Sequence, residues 1–384
     1  MTTLKDVAER ANVTVATVYQ VLTKPEEVTE TDYTSVMEAV KGLDYVLNIT
    51  IRDVAAYAGV SVSTVSYVIN NNPLIKPATR QKVREAIRAL GYHPNTTARN
   101  LKTSETHMIG YAWHVAEDPV RRNPLLDLFL YELAQYAESC GYHILTFTQP
   151  PHSGIKAYEE LRNTSRVDGF VLSDLVYDDP RVKRLMDMKI PFAAYGHSNE
   201  EWDFPYVDVD GQRGIQLVIE HLLSRGHERI GLISWPEGFR IGDVRTEGYF
   251  KAIQGAGLTS RDAWIAHTPN TFDHAFDAAH QILSSKPRPT AIVCANDIMA
   301  FGAKRYLETL SLEAGTDVAL TGYDDTPVAE LIGLTSVRQP IGVIASKVVE
   351  LLLAEIAHQR PIEHQMMLEP SLVVRASSVP SRRR

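Results

Sequence analysis

The chain of 384 residues is long enough for two or three domains, and its 44% apolar and 22% charged residues are those of an ordinary soluble globular protein. A net charge of −8 argues against a protein that coats nucleic acid over its whole surface, and no apolar run reaches the ~18 residues of a membrane span. The first residues carry Lys5, Asp6, Glu9 and Arg10 where a secretory signal would be apolar, so a cytoplasmic protein with no membrane partner is expected. Cys140 and Cys294 lie far apart in apolar patterns and read as two buried thiols, with a disulfide as the alternative.

The N-terminal region is written twice. The stretch TLKDVAERANVTVATVYQVL from Thr3 and TIRDVAAYAGVSVSTVSYVI from Thr50 agree at ten of twenty positions. The register of 47 residues continues through Val36/Val83, Ala39/Ala86, Leu43/Leu90 and Tyr45/Tyr92. This is one duplicated domain and not a solenoid, which needs at least three repeats. Each copy predicts three helices. In the second, Thr50 and Asp53 form a capping box, Val54, Ala55 and Ala58 an apolar stripe, and Gly59 a stop. Ser61 then caps a helix to about Ile69, with Val65 and Val68 facing inward and Val62, Ser63 and Tyr67 outward. After the Asn70–Pro73 loop, a third helix runs from Pro77 to Leu90 and ends at Gly91.

Two short helices about a glycine turn make a helix-turn-helix, whose second helix enters the major groove. A small helical bundle without a ligand is the alternative, and charge separates the two for the second copy. Residues 50–102 hold eight basic against two acidic residues, a net of +6, whereas residues 3–49 hold four against eight, a net of −4. Phosphate neutralisation supplies most non-specific DNA affinity, so the second copy carries that footprint and the first does not.

From Met108 short apolar runs alternate with amphipathic helices. The stretches MIGYAW, YHILTF, VDGFVLS, PFAAYG, RIGLIS, AIVCAN and DVALTGY read as buried parallel strands. Helices are predicted at 125–140, 211–225, 244–254, 273–284 and 298–309. This alternation predicts doubly wound α/β layers, with FPYVDVD at 204–210 as a crossing between two such units. Ligands in such sheets bind at the carboxyl ends of strands. There is no GxGxxG, GxxxxGK[ST], HExxH or GxSxG motif, so no cofactor, no metal and no catalytic residue is expected, and the chain reads as a non-enzyme.

The segment TIRDVAAYAGVSVSTVSYVINNNPLIKPATRQKVREAIRALGYHPNTTARNLKT resembles the headpiece of the lactose/galactose-repressor family, hinge segment NTTARNLK included. The resemblance continues through VDGFVL, HLLSRGHERIGLI, ANDIMAFGA, GYDD and LTSVRQP, and spans residue 50 to about residue 377. It implies helix-turn-helix headpieces followed by a two-lobed, periplasmic-binding-protein-like α/β core with parallel sheets. The implied divisions are a degenerate copy at 1–48, the DNA-binding copy at 49–94, a hinge at 95–106 and the core at 107–384, with lobe crossings near 206, 326 and 341.

The implied DNA contacts are Val62, Ser63, Thr64, Tyr67, Asn70, Arg99 and a minor-groove wedge at Leu101. Carried over by position, the effector contacts are Tyr206, Arg245, Phe272, Asn296, Asp324 and Gln339, joined by Asn123, Asp174, His197 and Trp235 at loop and strand ends. Asp324 would accept sugar hydroxyls, Arg245 offers a rigid donor fork, and Phe272 or Trp235 would cover an apolar sugar face. A core position for Phe272 and a structural Arg245–Asp324 pair are the alternatives. Many relatives carry Arg where His197 stands, so no particular ligand transfers.

The function implied is a ligand-responsive transcription regulator, a repressor, acting as a homodimer on double-stranded operator DNA under the control of a sugar. A sugar-sensing protein without DNA action and a sugar-acting enzyme are the alternatives. The first copy aligns Val15, Ala16 and Gln20 with the reading positions but has Asp44 for Gly91 and no hinge after it. Base contact through Gln20 and a packing role against the second copy both stay open, with packing favoured.

Overall fold

The structure, a computed structural model, describes residues 3–43, 45, 49–69, 72–92, 105–114, 124–149 and 155–379. The chain divides into two compact units, Met1–Ser104 and Glu105–Arg384. The hinge expected from residue 95 is described only at 105 and 106, and Asn70, Arg99, Leu101 and Asn123 lie outside the described residues.

The first unit holds α1 (Leu4–Ala11), α2 (Val15–Thr23), α3 (Glu30–Gly42), α4 (Ile51–Ala58), α5 (Val62–Ile69) and α6 (Pro77–Ala89). Both copies open on the same device. The Asp carboxylate three residues along accepts the backbone N–H and hydroxyl of Thr3 or Thr50 and so closes a capping box at the positive helix end. Both first helices stop on a left-handed residue, Asn12 at φ 54° and Gly59 at φ 62°, the two residue types that adopt this conformation at least cost. Each copy then buries its own core, Leu4, Val7, Val18, Val21 and Val36 in one and Val54, Val65, Val68, Val83 and Leu90 in the other.

The second unit contains two six-stranded sheets. The first comprises β1 (Met108–His114), β2 (His143–Gln149), β3 (Gly169–Leu172), β4 (Phe192–Tyr195), β5 (Tyr206–Val209) and β11 (Gln365–Leu368) in the order β11-β5-β4-β3-β1-β2, all parallel. The second comprises β6 (Ile230–Ser234), β7 (Ile265–His267), β8 (Ala291–Cys294), β9 (Ala319–Asp324), β10 (Thr335–Arg338) and β12 (Ser371–Val373) in the order β12-β10-β9-β8-β6-β7. Only β12 runs antiparallel to its neighbour.

Helices α7 (Pro124–Ser139), α8 (Lys156–Asn163) and α9 (Pro180–Asp187) lie on the first sheet. Those of the second are α10 (Gly211–Ser224), α11 (Arg240–Gly255), α12 (Phe272–Leu283), α13 (Asp297–Thr309) and the short α14 (Pro327–Leu331). α15 (Ile341–Ile356) returns to the first sheet. Helices on both faces explain why the strands read as unbroken apolar runs. In β3, Val171 enters the core under α7 and α15 while Phe170 and Leu172 enter the one under α8 and α9.

The chain passes between the sheets three times, at 209–211, 338–341 and 368–371. The passages expected near 206 and 341 therefore fall within a few residues of observed ones. The one expected near 326 does not exist: Thr326 caps α14 inside the second sheet, because the helix only carries β9 to its parallel neighbour β10. The third passage follows β11, a four-residue strand that the sequence reading did not pick out. Cys294 is buried as expected, but Cys140 is exposed at the end of α7, and both are free thiols.

Candidate functional site

Among the described residues two places bring polar chemistry to a surface or a cavity. The first is α5. Its valines Val65 and Val68 enter the core, which turns Val62, Ser63 and Tyr67 outward, with Val62 41% and Tyr67 49% exposed. Thr64 is half-buried; its N–H donates to Ser61 Oγ at 3.1 Å and its hydroxyl meets the same oxygen at 2.8 Å, fixing the first turn. Arg80, Arg84 and Arg88 recur every four residues on one face of α6, and Arg80 Nη2 donates to the Asn72 carbonyl at 2.8 Å. An apolar and phenolic reading face on a basic headpiece suits a DNA major groove.

The second place is a cavity of about 330 Å³ between the two sheets of the second unit. Strand ends and passages line it: Tyr195 closes β4, Asp324 closes β9, and Asp210, Gly211 and Gln339 sit on two of the passages. Asp324 is 7% exposed and holds φ 112°, a backbone conformation that costs energy in any residue but glycine. Gln339 Nε2 donates to Asp324 Oδ1 at 2.8 Å and Gln339 Oε1 accepts the Tyr195 hydroxyl at 2.7 Å, so one amide ties the two sheets together.

Arg245 Nη2 stands 3.7 Å from Asp324 Oδ1. Its guanidinium lies 3.5 Å over the Tyr323 ring and 5.7 Å from the Trp235 ring, while Nη1 donates to the Ala295 carbonyl at 2.6 Å. Nε of Arg245 is buried without a hydrogen-bond partner among the described residues. Burial raises the Asp324 carboxyl well above the usual carboxylate range, opposed by Arg245 and reinforced by the neighbouring Asp297. Asp297 is raised for the same reason, although Thr326 and Ser336 donate to it.

Across the cavity, Asp208 Oδ2 accepts His197 Nδ1 at 2.6 Å and Arg240 Nη1 at 3.4 Å. The Arg240 guanidinium also meets the imidazole, which stacks on Tyr206 with ring centres 5.0 Å apart. His197 and Asp208 belong to the first sheet and Arg240 opens α11 of the second, so this trio spans the cleft. On the same helix Gly242 makes room for Trp235, since a Cβ there would lie 2.6 Å from the Trp235 Cβ.

Among the effector candidates, Asp174, His197, Trp235, Arg245, Asp324 and Gln339 line the cavity. Tyr206 reaches it only through His197. Asn296 is buried as the cap of α13, its Oδ1 accepting Met299 N–H and its Nδ2 donating to Asn270, and it does not line the cavity. Phe272 is neither core nor cavity wall: it opens α12 and is 41% exposed.

The two units match two family descriptions. Residues 3–48 and 50–95 each match "Bacterial regulatory proteins, lacI family", and residues 219–378 match "Periplasmic binding protein-like domain". The HTH-type transcriptional repressor PurR of Photorhabdus laumondii is 32% identical over 390 residues, 99% of this chain and 97% of its own length. The chain belongs to the lacI family. Among solved structures, a lac repressor dimer bound to operator and the anti-inducer ONPF superposes with a TM-score of 0.75 at 26% identity, covering 87% of this chain and all of that one. The transcriptional regulator CelR in complex with cellobiose does so at 0.66 and 29%, covering 86% and 100%.

This lacI-family chain is thus a DNA-binding transcription regulator with a periplasmic-binding-protein-like core. Sequence reasoning missed Arg240, Asp208 and Tyr195 in the cleft. Asp208 had a signal, since it alternates with Tyr206 along β5 and so shares its face. Arg240 had none, because its partners lie 43 and 32 positions away. No cluster of metal-ligating residues and no helix long and apolar enough to cross a membrane occurs among the described residues.

Proposed function

We propose that the protein represses transcription in the cytoplasm as a homodimer on a pseudo-palindromic operator, and that an uncharged polyhydroxy effector, a sugar, in the cleft of the second unit sets its affinity for DNA. The observation that carries the effector class is the charge inventory of the cavity. Both arginines that line it are committed to carboxylates, Arg240 to Asp208 and Arg245 to Asp324. Asp174, Glu200 and Asp210 add further negative charge. An anionic effector meets excess carboxylate there, whereas hydroxyls find acceptors in Asp324 and Asp174 and donors in Arg245 and Gln339. The lac repressor dimer on operator and CelR with cellobiose support the homodimer and the sugar as readings for this chain.

Relatives that are transcription regulators support action by binding. The effector favours one arrangement of the two lobes and shifts operator affinity by a reciprocal coupling of order 1–3 kcal/mol. The test is fluorescence anisotropy on DNA fragments selected from a random pool, with and without neutral sugars, sugar phosphates and nucleobases. Salt-sensitive, sequence-selective binding that a neutral sugar alone shifts is expected. Binding of sugars without any selective DNA binding would replace the regulator with a sensor, and a response to phosphorylated sugars alone would overturn the effector class.

A further inference from the structure

The duplication places two helix-turn-helix copies in one compact unit, and their second helices differ in what they face. Val62, Ser63 and Tyr67 of α5 are exposed, whereas Val15 and Ala16, the counterparts of the first two in α2, are half-buried, and Gln20, the counterpart of Tyr67, is exposed at the edge of a cleft. Ala16, Tyr19, Gln20 and Thr23 line a cleft whose far wall is Tyr57 of α4 and Ala89 of α6. Tyr19 packs against the cores of both copies at once. Its counterpart 47 residues on is Ser66, too short to do the same.

A buried hydrogen bond fixes the docking. Leu4 N–H, at the start of α1, donates to Asp53 Oδ1 at 2.9 Å, while Asp53 Oδ2 serves the Thr50 box. Asp53 is only 1% exposed, and its counterpart Asp6 accepts hydrogen bonds from Thr3 alone among the described residues. The contact is therefore one-sided, with α1 and α2 of the first copy set against α4 and the end of α6 of the second. Charge agrees, because the copy that gives up its outward helix face is the one with a net of −4, unfit for a phosphate backbone.

We propose that the first helix-turn-helix reads no bases: the face of α2 that would enter a groove is its docking surface for the second copy, and the first copy clamps α4 so that α5 is held in reading position. This rests on α5 as the reader, and the tests separate the two. In the full-length chain, the sequence preference selected from random DNA is measured for Gln20→Ala and Tyr67→Ala. Hydrogen exchange across residues 50–69 is measured for Tyr19→Ser and Tyr19→Phe.

Gln20→Ala is expected to keep the selected sequence unchanged, and Tyr67→Ala to alter it. Tyr19→Ser, which recreates the counterpart residue, is expected to speed exchange in α4 about tenfold or more, and Tyr19→Phe to restore the slow rate because the ring does the packing. An altered base preference in Gln20→Ala, or α4 exchange indifferent to Tyr19→Ser, overturns the clamp. A Tyr67→Ala protein with unaltered preference overturns α5 as the reader instead. Global exchange in Tyr19→Ser that Tyr19→Phe reverses still supports the clamp, since it shows the copies to be one folding unit.

Discussion

Asp324 sits in the cleft under two constraints, a left-handed backbone and a carboxyl whose proton affinity burial has raised. Its ionised form accepts hydrogen bonds from hydroxyls at both oxygens, and protonation removes the charge and turns one oxygen into a donor. Effector affinity is therefore expected to fall as pH drops through the raised value, closer to neutrality than an ordinary carboxylate would allow. Asp324→Asn should abolish the effector response and flatten this profile while sparing DNA binding, as titration calorimetry between pH 5 and pH 8 would show. A variant that also loses DNA binding has lost its fold. Arg240 works differently, since it reaches His197 and Asp208 from the other side of the cleft. Arg240→Ala removes charged hydrogen bonds worth about 1.5–3 kcal/mol when buried, and the effector-free lobes should then part, raising the radius of gyration in small-angle scattering. An unchanged radius would mean that the Gln339 bridge suffices.

At the scale of elements, packing of α10 depends on an absent side chain. A Cβ on Gly214 would lie 2.5 Å from the Tyr323 ring, the ring on which Arg245 rests. Gly214→Ala is expected to cost about 1–3 kcal/mol, read as a lowered denaturant midpoint with unchanged slope. It should weaken effector binding as well, because Tyr323 cannot yield without moving Arg245. How legible these elements were in sequence follows from local chemistry. The Thr50–Asp53 capping box, the Gly59 stop and the seven apolar strands are written within a few residues of themselves and could be read. β10, β11 and β12 could not, since they are short, partly exposed and defined by their neighbours. α15 carries the helical rhythm, with Ile341, Ile344, Ala345, Val348, Val349 and Leu352 buried at spacings of three and four, and so was legible although it was not read.

For the molecule as a whole, the duplicated opening was legible as repetition and as a difference in charge, but the docking between copies was not. That docking rests on Tyr19 and on the second oxygen of Asp53, and both look like ordinary helix residues until the copies meet. Deleting residues 1–47 should leave the selected operator sequence in place, yet lower the melting temperature of the headpiece as Ile49 and Tyr19's seat on the second core become exposed. A changed operator would show that the deleted copy had read bases. The cleft was legible through its strand-end residues because parallel sheets converge their polar groups there, whereas Phe272 was misplaced because a motif fixes a position in the chain and not the side of a helix it faces.

The three passages between the sheets also set a scale for motion. Two of the three have residues in the cavity wall, Asp210 and Gln339 among them, and Met367 lines it just before the third, so a turn of the lobes would pivot about the place proposed for the effector. A body turning about such a pivot is a lever. α15, with 16 residues, extends roughly 24 Å from its passage at the 1.5 Å rise of a helix, so a 5° turn moves its far end by about 2 Å. Shifts of a few tenths of an ångström around Gln339 are thereby magnified toward the outer ends of the lobes, and a small molecule can command a displacement larger than a hydrogen bond tolerates.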